Sequence, residues 1–161
     1  VARRSEAVIL FAAGDLEGSR RAIKKALKLN PDIRVAHRIL GDIAYSKGDF
    51  RAALTEYRKE QSPLSRLPAL AMTLPKVGDS AGGKAAFDEL TKEFGYNGLY
   101  QQAQVLAQTN RGNEAIAALQ KAYEVSDAGL VLMRNDPLFK PLRGDPRFAA
   151  LLRRMGFSPP D

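Results

Sequence analysis

The sequence has no cysteine and a single histidine, His37. Without cysteine there is no disulfide, no thiolate-bound metal and no cysteine nucleophile, and the chain suits a reducing or an oxidising compartment equally. One imidazole without a companion ligand all but closes metal chemistry, so neither metal nor cofactor is expected. No apolar run approaches the roughly 20 residues of a membrane span, and no charged-then-apolar leader opens the chain. The expected setting is therefore cytoplasmic, or periplasmic if the chain is carried beyond a membrane anchor. An initiator methionine is missing too. Val1 opens in a helical pattern already under way, from which we expect a segment cut from a longer protein.

What is present is enough for a core: 161 residues, 45% of them hydrophobic. The net charge of +7, from 25 basic and 18 acidic residues, biases the chain toward anionic partners. The charges are mixed along the sequence rather than gathered in one block, so this is a bias and not a signature.

The informative feature is a recurrence. Turns at Gly14, Gly48, Gly78 and Asn110 are spaced by 34, 30 and 32 residues. After each turn come a small residue five positions on, a large apolar one at nine, and a small or apolar one at twelve. The four sets are Ser19, Ile23 and Ala26; Ala53, Tyr57 and Glu60; Gly83, Phe87 and Leu90; Ala115, Leu119 and Ala122. Glu60 breaks the pattern. Offsets of five, nine and twelve keep the marked residues on one stripe of a 3.6-period helix. Small side chains let two helices approach, and the large one fills the gap beside them. Glycine supplies the left-handed backbone that ends a helix, and asparagine is its commonest substitute. Asp15, Asp49 and Asp79 each follow a turn glycine and are placed to cap the next helix.

Seven to eight residues before the turns stand Leu40-Gly41, Leu70-Ala71 and Gln102-Ala103, the other half of a helical hairpin. Pro31 is expected to close the first repeat and start the next helix. Pro68 is expected in an opening turn, and Pro75 to kink or shorten its helix, giving irregular structure near residues 74–78.

These residues resemble the tetratricopeptide repeat, a helix-turn-helix of about 34 residues. The best match is the stretch from His37 to Tyr57, with His37 where the family has a bulky residue; Glu6, Gln102, Glu60 and Gly83 depart from the pattern. The resemblance implies an all-α fold, an α-α superhelix of about four hairpins with a C-terminal helical cap. The boundaries are 1–31, 32–63, 64–95 and 96–126 for the repeats, and 127–161 for the cap and tail.

The tail breaks the period. Asp136-Pro137 and Asp145-Pro146 announce two helix starts, and Phe148, Leu151, Leu152 and Met155 form a stripe suited to covering a solenoid's open edge. Leu130, Leu142-Arg143 and Arg147-Phe148 complete a pattern that looks like the ending of tetratricopeptide segments at the C-termini of larger bacterial signalling proteins, of the cyclase-, kinase- or winged-helix-linked type. The resemblance thus implies an interaction or regulatory domain.

Several motifs read more plainly as structure. Residues 78–84 satisfy the GxxxxGK part of a phosphate-binding loop, but Ala85 stands where a Mg²⁺-binding hydroxyl is needed, and the segment is already a repeat turn. Gly78 to Gly83 echo a serine-protease loop with only His37 as a base. Arg143-Gly144-Asp145 is a turn and a helix cap. His37 is read as a packing residue near a helix start, and Glu56 and Glu60 as carboxylates on a solvated face or one paired with basic residues. Arg20, Arg21, Lys24, Lys25 and Lys28 gather on one side of a helix, expected to be the solvated outer one. No aromatic interleaves with them to stack bases, which disfavours nucleic acid.

In such an array the first helices of the hairpins line the inner wall. Counting back from the turns, the inward positions are Arg4, Val8, Arg38, Asp42, Tyr45, Met72, Lys76, Tyr100, Gln104 and Gln108. The expectation is a non-catalytic scaffold that binds a protein or peptide partner in this groove. The alternative is a regulatory module packed on an attached cyclase, kinase or DNA-binding domain. The Lys and Asn clamp of the family's chaperone-binding members is not carried over, because Asp42 falls where an Asn is wanted. No enzyme and no small-molecule substrate are expected, and Val1 to Phe11 is a candidate edge for a homodimer.

Overall fold

The structure is a computed structural model that describes residues 2–158, with side chains from residue 4 onward; Val1, where the candidate dimer edge begins, lies outside them. Among the described residues every element is helical. The chain divides into two halves within one helix, between Ala86 and Phe87.

The N-terminal half contains α1 (Ala2–Ala12), α2 (Leu16–Leu29), α3 (Ala36–Ser46), α4 (Phe50–Tyr57) and α5 (Pro63–Thr73), then a 3-10 turn over Leu74–Val77 and the start of α6 (Ser80–Phe94). Helices α1 and α2 form one hairpin and α3 and α4 the next, while α1, α3 and α5 pack successively side by side. The repeat grammar explains why. Gly14, Gly48 and Gly78 all take positive φ, as does Asn110 at 61°, so each turn ends one helix and Asp15, Asp49 or Asp79 begins another by accepting a backbone amide of Gly18, Ala52 or Gly82.

Small residues meet where the hairpins close. Ser19 is fully buried and its hydroxyl donates to the Ala7 carbonyl at 2.7 Å, stitching α2 to α1. At Gly41 an added Cβ would sit 2.2 Å from the Tyr57 ring. The buried phenol therefore lies directly on the α3 backbone, and only glycine leaves room. Gly83 does the same for α6, since a Cβ there would come within 2.6 Å of Pro75. The core gathers Ala7, Ile23, Ala26, Ala36, Ile39 and Ile43, each buried isoleucine contributing about 2 kcal/mol and each alanine methyl less than half of that.

Three expectations need adjustment. Pro31 is exposed, and α3 starts at Ala36 rather than there. The delay comes from Val35, held at φ 72°, a left-handed conformation that strains a β-branched residue. Pro68 lies inside α5, whose first position is Pro63; lacking an N–H, it leaves the Leu64 carbonyl without its helical partner. Asp136-Pro137 starts a 3-10 segment, Pro137–Leu142, rather than an α-helix. The irregularity expected near residues 74–78 is the 3-10 turn that carries Pro75.

The C-terminal half holds the rest of α6, a 3-10 turn over Gly95–Gly98, α7 (Leu99–Gln108), α8 (Gly112–Glu124), 3-10 segments over Ala128–Leu132 and Pro137–Leu142, and α9 (Pro146–Arg154). Helices α7 and α8 form a hairpin, the tail's 3-10 segments lie against α7, and α9 lies against α8. Phe148, Leu151 and Leu152 are buried with Leu119, Met133 and Phe139 in one core, with Met155 packed against it. The stripe read from the tail thus covers this hairpin, as a terminal cap must.

Candidate functional site

The ten positions expected to face inward fall on α1, α3, α5 with its 3-10 turn, and α7. On α1, Arg4 is half-buried and Val8 is 39% exposed. On α3, Arg38 is buried; its Nε donates to Asp42 Oδ1 at 2.8 Å and its guanidinium to the Ser65 carbonyl at 2.9 Å. The Tyr57 hydroxyl donates to the same Asp42 oxygen at 2.7 Å. Asp42 is thus shared between a cation and a phenol, and the Arg38 guanidinium also lies 5.8 Å from the centre of the Tyr57 ring.

Burial raises the Tyr57 phenol well above its ordinary value, and the Asp42 charge adds to the rise. Tyr45, half-buried and edge-on to Phe50, is pushed up to about 12 by burial first and Asp42 second. Both phenols are neutral donors throughout the physiological range. Met72 is fully buried in α5, so its side chain belongs to the core, whereas Lys76 is exposed.

Helix α7 presents a different picture. Tyr100 and Gln104, ten and six residues before the Asn110 turn, stand in the register of Arg38 and Asp42 before Gly48. Both donate to one oxygen of Asp136 in the tail, Tyr100 at 2.7 Å and Gln104 at 2.6 Å, and Gln108 donates to the Leu138 carbonyl at 2.6 Å. The other Asp136 oxygen accepts the Leu138 amide at 2.9 Å. Phe139 packs edge-on against Tyr100 with centroids 5.3 Å apart. The stretch from Asp136 to Phe139 therefore lies on α7 as a bound peptide would, held by donors on one face and an aromatic anchor beside them.

Glu60, the residue that broke the small-residue pattern, has a function in the fold. It is 2% exposed and accepts the backbone amides of Val35, Arg38 and Ser62. A carboxylate three residues beyond α4 thus caps the start of α3 and holds Val35 in its strained conformation. His37 Nδ1 pairs with Glu56 at 2.8 Å, and Lys59 joins the same carboxylate. Burial opposes the Glu56 charge, but the bonds from Lys59 and His37 prevail and lower its pKa.

Two stretches, residues 5–65 and 69–129, match the family model described as Tetratricopeptide repeat. The chain belongs to the tetratricopeptide repeat family. Tetratricopeptide repeats are generally protein–protein interaction modules, and the family is typically non-catalytic. A comparison with curated proteins finds no match. Within this tetratricopeptide chain no helix among the described residues is long and apolar enough to cross a membrane. Among the same residues no group of three His, Cys, Asp or Glu is placed to hold a metal ion.

The remaining motifs are accounted for by turns and caps. Gly78 ends the 3-10 turn in the left-handed region and Asp79 caps α6, which is the whole of the apparent phosphate loop. Asp145 caps α9 through the Arg147 amide. The basic residues Arg20, Arg21, Lys24, Lys25 and Lys28 are all exposed along α2.

Proposed function

We propose that this chain is a non-catalytic scaffold whose partner groove runs over the first helices of the N-terminal half. The observation that carries the reading is the contrast at equivalent positions. On α7 the inward donors are taken by the chain's own Asp136 and Leu138, whereas α1, α3 and α5 stand side by side with Arg4, Val8, Tyr45 and Lys76 accessible to a partner. The Arg38–Asp42–Tyr57 cluster forms the rigid bed under them. Two cations at the ends of the row and an apolar centre favour an extended or helical peptide with acidic ends and an apolar middle.

The test is a selection of displayed peptides on the folded chain, followed by titration of the winners against Arg4→Glu, Lys76→Glu and Tyr45→Ala. Each variant should weaken binding by about tenfold or more. Affinity untouched by all three removes the groove from consideration.

A further inference from the structure

A separate recess opens on the second helices of the same half. Helix α2 packs on α3 and α3 on α4, and between α2 and α4 lies a cleft of about 390 Å³. Its floor is aliphatic: Leu40, Ile43 and Ala44 from α3 and Ala52 from α4. Its rim carries Arg20 and Lys24 from α2 and Lys47 from the end of α3. The cleft shares no residue with the groove of α1, α3 and α5.

The acids of this cleft are already engaged. Asp49 accepts the Ala52 amide at 3.0 Å, and Glu56 is held by His37 and Lys59. Lys47 is answered by Glu17 at 2.5 Å in an exposed pair. Arg20 and Lys24, one helical turn apart, have no hydrogen bond or ion pair among the described residues. Two cations without a salt-bridge partner among the described residues therefore overhang an apolar floor, Arg20 feeling only the field of Glu17, which bonds to Lys47, and Arg21, Lys25 and Lys28 continue the positive charge along a helix of 14 residues, roughly 21 Å long.

We propose that this cleft docks an acidic peptide segment of a partner protein, seating a leucine or phenylalanine on the floor between carboxylates that meet Arg20 and Lys24. The length of the basic track suits a peptide better than a small anion. No aromatic lines the cleft to stack a base, and its aliphatic floor gives a nucleic acid nothing to read.

The test uses the full chain and a fluorescein-labelled peptide, Glu-Asp-Leu-Phe-Glu-Asp. Controls are the same peptide with serine replacing Leu-Phe, polyglutamate, and a single-stranded RNA. The labelled peptide should bind saturably and the three controls at least about tenfold more weakly. Arg20→Glu with Lys24→Glu should cost about tenfold or more. Thr55→Trp, at an exposed cleft residue of α4, should block the floor and abolish binding while the helical circular dichroism and thermal midpoint stay unchanged. The titrations are run on the full chain carrying Arg4→Glu and Lys76→Glu, in which the groove proposed above no longer takes an acidic peptide, so failure of the groove and failure of the cleft register separately. The proposal is overturned by no saturable binding below about 1 mM, by binding that survives Thr55→Trp or the charge reversal, or by equal binding of polyglutamate or RNA.

Discussion

Arg38 and Asp42 on α3 stand in the same register as Tyr100 and Gln104 on α7, yet the two pairs serve opposite ends. On α3 the pair satisfies itself, cation against carboxylate with the Tyr57 hydroxyl joining in. On α7 the pair consists of two donors, and the acceptor arrives from the tail as Asp136. A helix face that carries both donor and acceptor needs no visitor to be satisfied. One that carries donors alone must be covered, and this chain covers it with itself. Each half also uses a buried or half-buried carboxylate to join segments distant in sequence, Glu60 in the first and Asp136 in the second.

The sharpest way to break that comparison is Glu60→Ala. It leaves the amides of Val35, Arg38 and Ser62 without their acceptor and should destabilise the N-terminal half by about 3 kcal/mol. Hydrogen exchange should quicken in α3 and α4 and stay unchanged in α7. Asp136→Ala is the counterpart. Losing the acceptor of two side-chain donors and of the Leu138 amide should cost about 2 kcal/mol and open residues 128–142 to limited proteolysis, with α3 unaffected. Gly41→Ala tests the hairpin contact itself. Its methyl would collide with the Tyr57 ring, for a loss of about 1 to 2 kcal/mol of stability measured by urea unfolding.

The smallest effect belongs to Glu56. Its pKa is lowered in the folded chain, so its pairing with Lys59 and His37 stabilises above the unfolded value of about 4.3 and is lost as pH falls through the folded one. The pair is partly exposed, so the contribution is under about 1 kcal/mol. The stability gap between wild type and Glu56→Gln should close between about pH 5 and pH 3.

The local physics was legible in the residues. Turns at Gly14, Gly48, Gly78 and Asn110, their aspartate caps, and the small-against-large contacts all depend on neighbours along one helix or across one hairpin, and the structure has them. The late start of α3 was not legible, because it depends on Glu60, 22 to 25 residues away. The one available signal was that a glutamate stood where the pattern asks for a small residue. The cover over Tyr100, Gln104 and Gln108 was hidden for the same reason: its bonds span 30 to 36 residues. Their count before the turn places those three in the register of Arg38 and Asp42 on one helix, but only the folded tail shows what lies on them.

The most direct test is a hydrogen-exchange footprint of the chain with a peptide selected on it. Binding to the N-terminal groove should add protection in α1, α3 and α5 and leave α7 and residues 136–139 as they were. Protection gained on α7 with the tail released, or no change on α1, α3 and α5, would contradict it.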